Sequence, residues 1–109
     1  MSKKGYVYLI CDPANDTYKI GVTRNLKSNR LRKLQTGNST ELFVIDIYET
    51  EYPFRMETML HSKYQNKKEL NEWFNLECSD VVHFKDTCKE IEKTIECLLD
   101  NPFFNKNLK

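Results

Sequence analysis

Several groups of polar side chains in this 109-residue sequence have the types and spacing that phosphodiester chemistry requires. Tyr8 and Lys19 each sit in a short apolar alternation, YVYLI and YKIGV, among residues suited to burial. Arg24, Lys27, Arg30, Arg32 and Lys33 form a dense basic run. Glu57 and His61 stand four apart in METMLH, a spacing that puts two side chains on one helix face. It also lets a carboxylate bind a metal with an imidazole beside it. Hydrolysis of a phosphodiester draws on such a set: a base for water, a cation for the charge developing at phosphorus, and a hard carboxylate ligand for Mg²⁺.

Each group alone has a plainer reading. A strand tyrosine more often packs, with its hydroxyl at the surface, and a strand lysine often guards a sheet edge against further pairing. A basic helix face is usually just solvated, and a lone Glu–His pair on an amphipathic helix is usually a surface pair. Arg30 stands apart from its neighbours because it lies one residue before Leu31 and four before Leu34, at the rim of an apolar stripe. It is the combination of groups, in this order, that favours chemistry.

These residues need elements to position them. Residues 5–11 and 17–23 alternate about the turn formers DPAND and predict a β-hairpin. Side chains two apart share a strand face. If Val7, Leu9 and Cys11 share a face with Tyr18, Ile20 and Val22, then Tyr8 and Lys19 lie together on the other. NLKSNRLRKLQT (25–36) predicts a basic helix capped by Asn25 and closed by Gly37. Residues 40–49 predict a third strand. Residues 53–66 predict a helix with Pro53 in its first turn. KKELNEWFNLE reads as a loop. From Ser79 as N-cap, Val82, Cys88, Ile91, Ile95 and Leu98 predict one C-terminal helix over about 79–101. The expectation is a single α+β domain over 1–109, a small three-stranded antiparallel sheet flanked by helices.

Composition narrows the class. At 39% hydrophobic and 30% charged residues, the chain has a modest core, and no apolar run nears the roughly 20 residues that span a bilayer. A soluble, intracellular protein with no membrane partner is expected. Cys11, Cys78, Cys88 and Cys97 form no CxxC pair, and neither His61 nor His83 completes a zinc site with them. Reduced, mostly buried thiols follow. The net charge of +1 conceals an asymmetry: residues 1–40 carry eight Lys/Arg against two Asp, and residues 41–109 carry nine against fourteen Asp/Glu. A basic face for a polyanion is compatible with that distribution.

On these residues the sequence resembles the GIY-YIG endonucleases. YVYLI (6–10) looks like the GIY segment with Tyr8 as its tyrosine, and YKIGVT (18–23) like the YIG segment with Gly21 as its glycine. RLRKL (30–34) is similar to the arginine-bearing helix and METMLH (56–61) to the glutamate-bearing one, with EWFNL (72–76) behind. The match covers about residues 5–76 and resembles the phage and large-virus branch whose second motif reads KIG. Lys19 then occupies the position of the second tyrosine, beside Tyr8 over a cleft.

The resemblance implies one-step hydrolysis of DNA with a single Mg²⁺ or Mn²⁺. In it Glu57 binds the metal, Tyr8 activates water, and Arg30 stabilises the charged phosphorus centre. Lys19 orients the water or lowers the pKa of Tyr8, and His61 is a supporting or leaving-group candidate. Arg24, Lys27, Arg32 and Lys33 would contact the DNA backbone. Leu34 stands where some homing-type members carry a histidine, and one extra residue between Gly21 and Arg30 leaves Asn29 as an alternative to Arg30 in the cleft. Asn71 and Asn75 both suit the family's late asparagine. An endonuclease is the first reading, and a catalytically inactive nucleic-acid-binding module on the same fold is the alternative. A protein-interaction domain that docks through the acidic C-terminal helix and the FF of NPFFNKNLK is a third. Specificity would come from a homodimer or a separate chain, if it is not low.

Overall fold

The computed structural model describes residues 4–25, 41–70 and 72–100. The expected basic helix beyond Asn25, and with it Lys27, Arg30, Arg32 and Lys33, lies outside those residues, as do Asn71 and the FF pair at 103–104.

Strands β1 (Gly5–Asp12) and β2 (Thr17–Thr23) form the expected hairpin. Its turn places Asp16 at a φ of 53°, a left-handed conformation that aspartate tolerates better than most residues. Asn15 closes the turn by donating to Asp12 at 2.7 Å. The register pairs Val7 with Val22, Leu9 with Ile20 and Cys11 with Tyr18, so the two apolar sets do share a face. Tyr8 pairs with Gly21 and Ile10 with Lys19 on the opposite face. Strand β3 (Phe43–Thr50) lies antiparallel along the other side of β1, with a bulge between Leu9 and Ile10.

Helix α1 (Pro53–Lys63) begins on Pro53, which supplies no N–H where none is needed. Its start is pressed against β1: a Cβ on Gly5 would come within 2.7 Å of Pro53 Cγ. Met56 and Leu60, both fully buried, seat the helix on Val7, Leu9, Ile20 and Val22. Burial of each such side chain contributes about 1.5–3 kcal/mol.

The segment expected to be a loop instead forms β4 (Lys68–Leu70) and β5 (Trp73–Phe74), after a 3₁₀ turn over Gln65–Lys67. Among the described residues the sheet has five antiparallel strands, not three, in the order β3-β1-β2-β5-β4. Strands of three and two residues are too short to show alternation. They exist because the outer edge of β2 offers partners, Tyr18 to Phe74 and Lys19 to Trp73. One consequence is that β2 is interior, so Lys19 is not an edge-strand guard.

The single C-terminal helix is also corrected. Helix α2 (Cys78–Val82) and helix α3 (Phe84–Leu99) are separated at His83. The N-cap is Glu77 rather than Ser79, in a reciprocal capping box with Asp80. Asp80 accepts from the Glu77 N–H at 2.9 Å and from the Lys67 ammonium at 2.6 Å, which pins the end of the 3₁₀ turn to α2. Val82 is 70% exposed, off the apolar stripe that Phe84, Cys88 and Ile95 bury. Tyr48 and Thr50 of β3 donate to the two oxygens of Glu92 at 2.6 and 2.7 Å, bracing α3 against the sheet. All four thiols are free, but only Cys88 is fully buried and Cys78 and Cys97 are exposed. Burial, with Asp46 and Glu92 nearby, pushes the Cys88 thiol up to about 12.

Candidate functional site

Tyr8 lies with its ring across Gly21, its cross-strand partner. A Cβ at Gly21 would stand 2.5 Å from the Tyr8 hydroxyl oxygen and 2.6 Å from Cζ. Only glycine leaves room, and this contact is the physical link between the two motifs of the hairpin. Tyr8 is wholly buried, unlike a packing tyrosine that brings its hydroxyl to the surface.

Lys19 stands on that same face, with a side chain only 12% exposed. Its ammonium donates to Glu72 at 2.6 Å and lies 5.8 Å from the Trp73 ring centre. An ammonium so nearly buried needs a counter-charge, since burial of an unpaired charge costs several kcal/mol. Glu72 immediately precedes β5, so the β2–β5 pairing brings it to Lys19.

Glu57 and His61 are half-buried and one turn apart on α1. They line a cleft of about 500 Å³ together with Thr58, Lys68 and Glu72. The His61 ring is fixed twice. It meets Phe74 edge-on with centroids 4.9 Å apart, and its Nε2 lies 2.9 Å from the Ile20 carbonyl. A carbonyl only accepts, so Nε2 carries the proton and the lone pair of the neutral ring is on Nδ1. This is more than a surface pair, because His61 ties α1 to the backbone of β2 next to Gly21.

The two halves of the site therefore meet through Lys19 and Glu72. The hairpin holds Tyr8 and Lys19 on one face, α1 supplies Glu57 and His61 to the cleft, and Glu72 belongs to both. Arg24, just past the end of β2, has its guanidinium 5.0 Å over the Phe54 ring. Asn75 is occupied at an exposed position, donating through its amide to Glu69 at 2.8 Å. Glu72, Trp73 and Lys68 were not singled out as site residues by type or spacing. The sequence signals were their place in KKELNEWFNLE, which reads as a loop, and the EWFNL segment of the family resemblance, neither of which gave Glu72 or Trp73 a role; the Lys19–Glu72 contact spans 53 residues.

A metal ion in this cleft would find few protein ligands. Among the described residues, no group of three or more His, Cys, Asp or Glu side chains is arranged to hold a metal. Mg²⁺ suits such a cleft, because it keeps most of its water and binds one or two carboxylates plus substrate phosphate. Glu57, which lines the cleft from α1, would be the carboxylate to hold one.

A family model, the T5orf172 domain, matches residues 5–99. The chain belongs to this family. T5orf172 domains are GIY-YIG-like and endonuclease-associated, and membership makes the chain a nuclease-like or DNA-binding module. The match extends through α2 and α3, past the motif-bearing part that ends near residue 76. No curated protein and no solved structure matches. Among the described residues of this T5orf172 domain, no helix is long and apolar enough to cross a membrane.

Proposed function

We propose that this T5orf172 domain is a metal-dependent endonuclease that hydrolyses a DNA phosphodiester in one step. The observation that carries the reading is the convergence at β2: the Tyr8 phenol over Gly21, and the Lys19 ammonium bonded to Glu72, which lines the cleft with Glu57 and His61. A binding module has no need of the Glu57 carboxylate in the cleft.

In this reading Tyr8 takes the proton of the attacking water. Lys19 holds that water and supplies a positive charge beside the phenol, which favours its ionised form. Glu57 holds Mg²⁺ or Mn²⁺, which when bound polarises a phosphoryl oxygen. His61 keeps α1 in place through Ile20. Arg30 stabilises the charge at phosphorus, and Arg30→Ala is expected to cost about 2–4 kcal/mol of the barrier, as loss of an oxyanion donor does. Arg24, Lys27, Arg32 and Lys33 bind backbone phosphates, so affinity falls with rising salt. Leu34, where some homing-type members carry a histidine, favours one second reading, a module that binds DNA without cutting it.

The test is incubation of the chain with supercoiled plasmid, in Mg²⁺ or Mn²⁺ and in EDTA, beside Glu57→Gln. Nicking that requires the cation and vanishes in Glu57→Gln, with DNA retention unchanged, is the expected result. Retention without nicking selects the binding module.

A further inference from the structure

We infer that Glu72 is a positioning residue for Lys19: its carboxylate sets the ammonium at the mouth of the cleft, and cleavage depends on that placement. The inference rests on the endonuclease reading and adds to it a residue outside the set of Tyr8, Lys19, Arg30 and Glu57. Lysine is a flexible four-carbon stem with a point charge, so a lysine that must hold one water needs something to immobilise its end.

Three observations supply it. The Nζ–Oε1 distance is 2.6 Å, short even for a charge-assisted hydrogen bond. The Lys19 side chain is 12% exposed whereas that of Glu72 is 41% exposed, so the acid comes from the solvent side to meet a lysine already enclosed. Trp73, the cross-strand partner of Lys19, flanks the ammonium at 5.8 Å and narrows the places it can occupy. Together they hold the ammonium against Glu72, the residue that lines the cleft with Glu57 and His61.

A competing role is available to the same contact. In that role Glu72 is a guard that neutralises Lys19 until a phosphate displaces it, and the two roles predict opposite effects on DNA binding. A guard, once removed, lets the cleft bind DNA more tightly and with a steeper salt dependence, because one more cation meets phosphate. A positioning residue, once removed, slows the reaction and leaves binding where it was. The positioning role is favoured because the cleft end of an enclosed side chain has little freedom to turn toward a displacing phosphate.

The experiment compares the full chain with Glu72→Gln and Glu72→Asp in three measurements. Single-turnover cleavage of plasmid in Mg²⁺ is expected to slow by about tenfold to a hundredfold in Glu72→Gln, the scale of an approximately 1 Å misplacement, and Glu72→Asp is expected to recover part of it. DNA retention across a salt series is expected to be the same for all three. The ¹⁵N–¹H signal of the Lys19 ammonium, visible when exchange with water is slowed, is expected in the parent and in Glu72→Asp and lost in Glu72→Gln. Parent-like cleavage by Glu72→Gln overturns the inference alone, as does tighter binding with a steeper salt slope. If the parent does not cleave, the endonuclease reading falls. In that case a Lys19 signal that depends on Glu72 still upholds the contact, and one that does not depend on it overturns the inference as well.

Discussion

On the face of the sheet that carries α1 and α3, Tyr48 donates its hydroxyl to Glu92 at 2.6 Å; on the opposite face Tyr8 lies across Gly21, with Lys19 as the charged residue of the neighbouring strand. Burial raises the pKa of Tyr48 far above the ordinary value, and the hydrogen bond to Glu92 adds to it. Such a phenol keeps its proton and acts as a brace. Tyr8 shares its face with the Lys19 ammonium rather than with a carboxylate brace. One residue type thus serves packing on one face, and on the other it is the residue to which the proposed function gives the proton transfer.

Substitutions that treat the two faces alike put that contrast at risk. Tyr8→Phe is expected to reduce cleavage by about 10²–10⁴-fold, the share of a general base, with a melting temperature close to the parent. A large fall in melting temperature with residual cleavage would make Tyr8 a packing residue like Tyr48. Gly21→Ala drives a methyl into the Tyr8 ring, and is expected to cost about 1–3 kcal/mol of stability in urea titration while also displacing the phenol. A silent Gly21→Ala would show that the Tyr8 ring has room to shift. Tyr48→Phe is expected to cost about 0.5–1.5 kcal/mol and to leave cleavage untouched, since Thr50 still donates to Glu92.

The smallest effect tests a region away from both faces. Burial works to raise the Asp80 carboxyl, but the Lys67 ammonium and the Glu77 N–H outweigh it and hold the pKa below the ordinary value. A lowered folded-state pKa contributes stability that is present above the unfolded value and lost as pH falls through the folded one. Melting temperature is therefore expected to fall below about pH 4, and Asp80→Asn to flatten that part of the curve. At neutral pH Asp80→Asn is expected to cost about 1 kcal/mol, the scale of a lost helix cap. An unchanged acid limb would remove Asp80 from its cause.

The hairpin was legible because alternation over seven residues on each side of a five-residue turn leaves one sensible pairing. Even the shared face of Tyr8 and Lys19 followed from period two. Helix α1 was legible from Pro53 and the apolar spacing of Met56 and Leu60. Strands β4 and β5 were not, since three and two residues carry no period, and neither was the break at His83, where the apolar spacing runs on across two helices. Val82 fits the stripe by spacing and yet stands in solvent, because α2 ends before α3 begins its own face.

By itself the sequence determined the local order: which residues alternate, where the chain turns, and that a phenol, an ammonium, a guanidinium cluster and a carboxylate recur at spacings that helices and strands convert into shared faces. Those are interactions between near neighbours, and backbone geometry alone converts spacing into direction. Only the tertiary structure decided that Glu72 meets Lys19 across 53 residues, that His61 binds Ile20 across 41, and that the Tyr8 ring fills the space above Gly21. Each depends on which strand lies beside which, and that choice is made by the burial of a common core rather than by any residue's own preference.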